Sequence, residues 1–325
     1  MLIPRPSFVH RAIMPSRDHE HVDYDPSIPL AWVESPLQLL AAAEWADGQG
    51  EPIVVAHRLT GPQMERTAAE LIARGARFAA CVPYFGIPWR LLARHRHWAV
   101  GDAFSGQFRM AASLNAPRRL TLLDDGAQTT EVVDALLGRA AYARPRVRES
   151  GMATLLGGLV RDRVLGLAAR GRLDIATAFP LGDERVAALE GRGITVRPHR
   201  LNWVRRTARP IAVPGDRVLL GSSLPVDGRV KTESYLAWVG AEARDGGLAY
   251  LPHRRETPEL LRAVKALPGV RIYDLGLPVE LVLAGARTPL EVIALQTSAQ
   301  TTLSYLLEGS GSVIRTGTVL RDIAR

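Results

Sequence analysis

At 325 residues the chain is longer than one hydrophobic core usually organises, which favours two domains of roughly 150 residues each. With 47% hydrophobic and 23% charged residues it is neither disordered nor collagen-like, and its single cysteine, Cys81, excludes an intramolecular disulfide and a cysteine-rich zinc site and reads as a small buried apolar residue. The formal charge of +8 is almost all arginine, with Lys231 and Lys265 the only lysines, and no dense basic run interleaved with aromatics accompanies it. Nucleic-acid binding is therefore not expected, whereas an anionic sugar nucleotide, an acidic glycan or a lipid headgroup would be attracted.

Residues 1–27 carry Pro4, Pro6, Pro15 and Pro26 among clustered charge without a period, and read as a flexible tail rather than a secretory signal. No apolar stretch reaches the roughly 18 residues of a membrane span, so a cytoplasmic protein is expected. From Pro29 the sequence alternates. Strand Pro29–Val33 leads through Ser35-Pro36 into a helix with proline in its first turn, carrying Leu37, Leu39, Leu40, Ala43 and Trp45. Pro52–Ala56 is a second strand, Pro62–Arg74 a helix and Phe78–Val82 a third strand. A helix near Pro88–Arg94, strand Trp98–Gly101, strand Leu120–Leu123 and a helix Thr129–Leu137 follow.

The apolar helix expected over Met152–Arg170, with Leu155, Leu156, Leu159, Val160, Val164 and Leu167, reads as a core or interdomain helix, with docking on a membrane surface as its alternative. Strands Ile175–Phe179 and Ile194–Val196 precede Asn202–Arg206 and a linker, Arg205–Pro214. Alternation then restarts with strands Arg217–Leu220, Leu248–Leu251, Val270–Tyr273, Leu290–Leu295 and Ser312–Arg315. Between them come helices Thr232–Arg244, Pro258–Ala266, Pro278–Ala284 and Ala299–Leu307. Two alternating halves predict two doubly wound α/β domains facing a cleft, residues 28–207 and 208–325. No GxGxxG or GxxxxGK[ST] fingerprint is present, which weighs against nicotinamide, flavin and P-loop enzymes.

Residues able to do chemistry cluster just after the expected strands. Asp124-Asp125-Gly126 is the most informative, as either a strand-to-helix turn with a capping acid or half of a catalytic site; its ordered companions favour the site. Those companions are Ser35 and Gln38 in the first half, and Gly221-Ser222-Ser223, Pro252-His253-Arg254 and Thr297-Ser298 in the second. Acids on one wall would face a histidine, hydroxyls and helix N-termini on the other, a division suited to group transfer to a hydroxyl. Ser35 and Gln38 either face a donor or simply start a helix, Gly221-Ser222 either touches a nucleotide or caps a helix, and Arg254 either contacts a phosphate or faces solvent. His57, His95, His97 and His199 have no metal-ligand spacing and read as surface or packed residues.

Ser35-Pro36-Leu37-Gln38-Leu39-Leu40, Leu123-Asp124-Asp125-Gly126, Leu220-Gly221 through Tyr235, Tyr250–Glu256, Leu277-Pro278-Val279-Glu280 and Thr297-Ser298-Ala299 occur in matching order over residues 29–316. In these segments the chain resembles bacterial sialyltransferases, the α-2,8-polysialyltransferase family and its relatives that act on lipooligosaccharide. The resemblance implies a GT-B fold and inverting, metal-free transfer of a nonulosonic acid from a CMP-activated donor to a glycan or glycolipid hydroxyl, without a cofactor. It makes Asp124 the general base, with Asp125 next. In that scheme a protonated His253, with Thr297 and Ser298, meets the leaving phosphate, Arg254 is either a second phosphate contact or a solvent-facing residue, and the family likeness assigns Glu280 to the cytidine ribose. Ser35, Gln38, Gly126, Gly221 and Ser222 join them as donor-binding residues. The sequence departs from the family's His-Pro pattern, since Pro252 precedes His253 and Arg254 follows it. Another nucleotide sugar as donor, or a non-catalytic glycan- or polyanion-binding protein on the same scaffold, remain the alternatives.

Overall fold

The computed structural model describes residues 25–144, 152–244 and 246–319; most of the tail expected over residues 1–27, and the side chains of Met152 to Leu155, lie outside the described ones. The first half runs β1 (Leu30–Val33), α1 (Pro36–Gln49), β2 (Ile53–Arg58), α2 (Pro62–Ala73), β3 (Phe78–Tyr84), α3 (Trp89–Arg94), β4 (His97–Val100), α4 (Gly106–Leu114), β5 (Arg119–Leu122), α5 (Gln128–Leu136), α6 (Met152–Ala168), β6 (Leu173–Thr177), α7 (Asp183–Glu190), β7 (Ile194–Pro198) and α8 (Asn202–Arg206). The second half runs β8 (Arg217–Leu220), α9 (Thr232–Arg244), β9 (Leu248–Leu251), α10 (Pro258–Lys265), β10 (Val270–Ile272), α11 (Val279–Leu283), β11 (Glu291–Ala294), α12 (Ala299–Leu306) and β12 (Val313–Thr316).

The strands form two sheets, ordered β3-β2-β1-β4-β5-β6-β7 and β10-β9-β8-β11-β12, and the pairings are parallel. Parallel strands covered by helices on both faces are apolar throughout, and β1, with Leu30, Ala31, Trp32 and Val33 all buried, is of this kind. Sequence chemistry also fixes helix starts. Ser35 caps α1 by accepting the Gln38 N–H at 3.3 Å, and Thr257 caps α10 by accepting the Leu260 N–H at 3.3 Å, each with proline in the first turn.

Both sheets reverse strand order beside their first strand, between β1 and β4 and between β8 and β11. In open α/β sheets such switch points are where loops part and leave room for a ligand. The two halves also share a core. Leu39 and Leu40 of α1, Val204 of α8, Leu281 of α11 and Leu303 of α12 are buried in one apolar cluster. Polar contacts reinforce it: Arg74 donates to the Leu281 carbonyl across the halves at 3.3 Å, and in the stretch between them Arg209 donates to the Ala73 carbonyl at 2.6 Å and the Ile211 N–H to the Gly285 carbonyl at 2.8 Å. The stretch expected to be a linker is thus anchored to both sides. Cys81 lies in β3, where burial pushes its thiol up to about 12, so it packs rather than reacts.

Three local expectations change. Helix α4 escapes sequence periodicity because it buries Arg109 beside Phe108, Ala111 and Ala112 and exposes Met110 and Leu114, which blurs the usual pattern; the Arg109 guanidinium sits 5.9 Å from the Tyr142 ring centre. Helix α7 buries only Leu189, too little apolar surface to show a period. Strand β6 begins two residues earlier than the expected Ile175. Its buried Asp174 looks out of place in a strand until Arg119 of the neighbouring β5 is seen to clamp it at 2.6 and 2.9 Å. Helix α6 supplies Val160, Val164, Leu167 and Ala168 to the core against the first sheet, so its apolar side is occupied by protein.

Candidate functional site

The loops after β1, β4 and β5 carry Glu34, Asp102 and the Asp124-Asp125-Gly126 tripeptide to one edge of the first sheet. The two adjacent acids diverge. Asp124 is only 2% exposed: its Oδ2 accepts the Ala178 N–H at 2.7 Å, and its Oδ1 lies 3.4 Å from the Thr129 hydroxyl. His199 Nε2 approaches the same Oδ2 to 3.1 Å, but at an angle that leaves both ring nitrogens without a hydrogen bond. Asp124 therefore ties the end of β5 to the chain leaving β6.

Asp125 turns the other way. Its Oδ1 accepts from Gln38 Nε2 and its Oδ2 from Gln128 Nε2, both at 2.7 Å, while its own N–H donates to the Thr129 hydroxyl at 3.2 Å. Gln38 is itself fixed, since its Oε1 accepts the Glu34 N–H at 2.6 Å, and it fills the space that a side chain at Gly101 would need. Burial pushes the Asp125 carboxyl up to about 7, Asp102 adds to the rise, and Gln38, Arg144 and Arg254 oppose it. Amide donors aim the carboxylate without pinning it in its charged form as a direct cation would. Asp102 is the acid held by a cation, through its ion pair with Arg144. Glu34 is held between Arg58 at 2.8 Å and the Ser105 hydroxyl at 2.7 Å.

The second wall is organised by Glu256, a residue the sequence placed in a motif without a role. Its buried carboxylate accepts the Ser222 N–H at 2.9 Å, the Tyr250 hydroxyl at 2.5 Å and the His253 N–H at 3.3 Å, while the Tyr235 hydroxyl lies 2.7 Å from that of Tyr250. Gly221 is required there, because a β-carbon would stand 2.6 Å from the His253 nitrogen and 2.7 Å from Glu256 Oε1. The loop amides of Ser222 and His253 are consequently spent inside the protein. His253 Nδ1 accepts the Arg255 N–H at 3.2 Å, and burial, helped by Arg254 and Arg255, lowers its pKa to about 4. At neutral pH the ring is uncharged and carries its proton on Nε2.

The walls meet. A β-carbon at Gly126, whose φ is +64°, would come within 3.0 Å of Ser298 Oγ at the start of α12. Arg254 and Asp125 interact electrostatically across the same gap. A crevice of about 270 Å³ continues beside them, lined by Pro36, Pro62, Gln63, Arg254 and Arg255. Thr297 is exposed next to Ser298, and its hydroxyl accepts the Ala299 N–H at 3.4 Å. Ser35 serves as the α1 cap, and Ser222 Oγ accepts the Leu224 N–H at 3.2 Å. Glu280 is buried in α11 with its carboxylate bonded to the Thr302 hydroxyl at 2.8 Å, and burial raises its pKa. Among the described residues no three metal-ligating side chains gather.

No protein-family model matches the chain, and no curated protein does. The resemblance to sialyltransferases therefore rests on the ordered motifs alone. Solved structures do match. S. aureus MnaA, in a co-structure with UDP, is 9% identical over 89% of this chain and 79% of that one, with a TM-score of 0.52. A putative UDP-N-acetylglucosamine 2-epimerase from Listeria monocytogenes is 13% identical over 91% and 80%, with a TM-score of 0.50. The E. coli heptosyltransferase WaaC with ADP-2-deoxy-2-fluoro heptose is 12% identical over 90% and 94%, with a TM-score of 0.42. At such identities the likeness is one of fold, and the fold is GT-B-like, with two Rossmann-like domains.

Proposed function

We propose that the chain is a metal-independent, inverting glycosyltransferase that moves sialic acid or a related nonulosonic acid from a CMP donor to a glycan hydroxyl, with Asp125, rather than Asp124, as the base. The observation that carries this is the Asp125 carboxyl, aimed by two amides, raised to about 7 and set opposite Arg254. A base whose pKa lies near the working pH is the best compromise between being unprotonated and accepting a proton. The acceptor oxygen bonds to the anomeric carbon as the bond from that carbon to the CMP phosphate oxygen breaks. The proton of the acceptor hydroxyl passes to Asp125, and CMP leaves with both electrons of the broken bond. The transition state is oxocarbenium-like, as in other glycosyl transfers. Charge growing on the phosphate is met by His253 Nε2–H, the Arg254 guanidinium and the Ser298 hydroxyl. His253 acts here as a neutral donor. Ser35, Gly221 and Glu280 shape the donor pocket from behind, as a cap, a close approach and a buried anchor.

A second reading is a UDP-sugar enzyme, an epimerase or a transferase, favoured by the backbone likeness to MnaA with UDP. Calorimetry with CMP and UDP separates the two. CMP is expected to bind, and His253→Ala to weaken it about tenfold, the worth of one hydrogen bond to a charged group. Tight binding of UDP with none of CMP overturns the sialyltransferase reading in favour of the second. Binding of neither nucleotide leaves a non-catalytic glycan-binding protein.

A further inference from the structure

At the switch point of the first sheet, the room beside the ends of β1 and β4 is filled by the side chain of Gln38, which is 2% exposed. Gly101, the residue after β4, makes that possible. A β-carbon there would stand 2.4 Å from Gln38 Oε1, 2.5 Å from its Cδ and 2.6 Å from its Cγ. The Gly101 N–H donates to the Trp32 carbonyl of β1 at 3.0 Å, so the backbone is held against the sheet and cannot draw back from a larger side chain.

Gln38 is also the third residue of α1, in a Ser-x-x-Gln capping box that Ser35 begins. In the usual box the glutamine reaches back to the N–H of the cap residue. Here it reaches one residue further, and its Oε1 accepts the Glu34 N–H at 2.6 Å. A glutamate would serve that cap as well. What only an amide supplies is the other end, Nε2, which donates to Asp125 Oδ1 at 2.7 Å. With its oxygen taken by a backbone N–H the group cannot turn over, so its donor faces the carboxylate.

The remaining surroundings of Asp125 act on it differently. Gln128 donates to the other oxygen from α5, and the Asp125 N–H is taken by the Thr129 hydroxyl. Burial and the Asp102 carboxylate push the Asp125 carboxyl up, and among the groups that favour its charged form the Gln38 bond outweighs Arg144 and Arg254.

We infer that Gln38 is a positioning residue for the transfer: held by the Glu34 N–H and lodged over Gly101, it fixes the direction in which the Asp125 carboxylate meets the acceptor hydroxyl. The inference rests on the reading of Asp125 as the base. It places Gln38 behind that base instead of against the donor, and it makes Gly101 the residue that gives Gln38 its room.

Two variants test it. Gly101→Ala leaves both Gln38 and Asp125 in the chain but sets a methyl group where the carboxamide lies. Gln38→Glu keeps an acceptor for the Glu34 N–H and turns a second carboxyl towards Asp125. The first readout is independent of turnover: carboxyl-carbon NMR across pH on full-length protein isotopically labelled at aspartate, with the Asp125 signal identified by its loss in Asp125→Asn. Its midpoint, near 7 in the unaltered protein, should rise by about one unit in Gly101→Ala, because a donor to the charged form is displaced. In Gln38→Glu two facing carboxyls cannot both ionise near neutrality, so the titration should split into two steps, the upper above that of the unaltered protein. In both variants kcat at neutral pH should fall roughly tenfold to a hundredfold, with KM for the donor and calorimetric CMP affinity unchanged.

If no aspartate of the unaltered protein titrates near 7, the reading of Asp125 as the base fails and this inference with it. If Asp125 titrates there and its midpoint stays in place in both variants, the Gln38 inference alone is overturned. Weakened CMP affinity with an unmoved midpoint overturns it in favour of a donor contact, and lost turnover with an unmoved midpoint reduces Gln38 to a helix cap.

Discussion

Each sheet presents a carboxylate at the cleft, and the two are held differently. Asp125 receives side-chain amides, sits half-buried and keeps a carboxyl that titrates near 7. Glu256 receives two backbone N–H groups and a tyrosine hydroxyl, is buried, and orients the loops after β8 and β9. The difference teaches what burial does to an acid. An acid supplied with several donors becomes part of the frame, because removing it strands each of them; one given few and facing a gap remains free to exchange a proton. Asp124 and Asp125 each accept two hydrogen bonds and differ in depth and partner: Asp124 is 2% exposed and holds a backbone N–H, whereas Asp125 is partly exposed and holds two side-chain amides.

The largest expected effect is at Asp125. Asp125→Asn should lower turnover on the order of a hundredfold to ten-thousandfold, the span of a general base, and leave CMP affinity nearly unchanged. Asp124→Asn should retain most turnover but lose about 2 kcal/mol of stability, since the Ala178 N–H loses a charged acceptor. Rates of the unaltered enzyme should rise with pH to a plateau above about 7, because only the ionised carboxylate accepts the proton. If Asp124→Asn proves to be the variant without turnover, the two acids exchange roles.

Glu256 should fail in the opposite manner. Glu256→Ala is expected to cost about 3 kcal/mol in urea denaturation through the stranded Ser222 and His253 amides and Tyr250 hydroxyl. Glu256→Gln should recover part of it. A large loss of turnover from Glu256→Gln in folded protein would move Glu256 from the frame into the chemistry.

The smallest effect sharpens the comparison by sign. Because the folded state raises the Asp125 pKa to about 7, above the unfolded value of about 4, its contribution to stability is full below pH 4 and is lost as pH rises through 7. Asp125→Asn should therefore raise the melting temperature by a few degrees at about pH 8 and by less at about pH 5. An equal shift at both pH values would remove the strained carboxylate from the account.

The alternation of apolar runs with proline- and serine-started helices was enough to predict two doubly wound halves, because parallel strands buried on both faces and capped helices are local in sequence. Elements stabilised by distant partners were not legible. Strand β6 hides its start behind Asp174 until Arg119 is brought beside it, and α4 hides its amphipathicity behind a buried arginine. In the candidate site, the tripeptide's position at a strand end could be read from residues 120–126, and so could the companions after other strands. Which of two neighbouring acids faces the cleft could not, since that depends on Ala178 and His199 arriving from two other strands. The sequence by itself determined the elements, their order and the pool of polar residues at strand ends, because helix caps, turn residues and apolar runs act within a few residues. Only the tertiary structure decided that burial raises the Asp125 carboxyl and which amides Glu256 consumes, because desolvation and hydrogen-bond competition are set by neighbours far away in the chain.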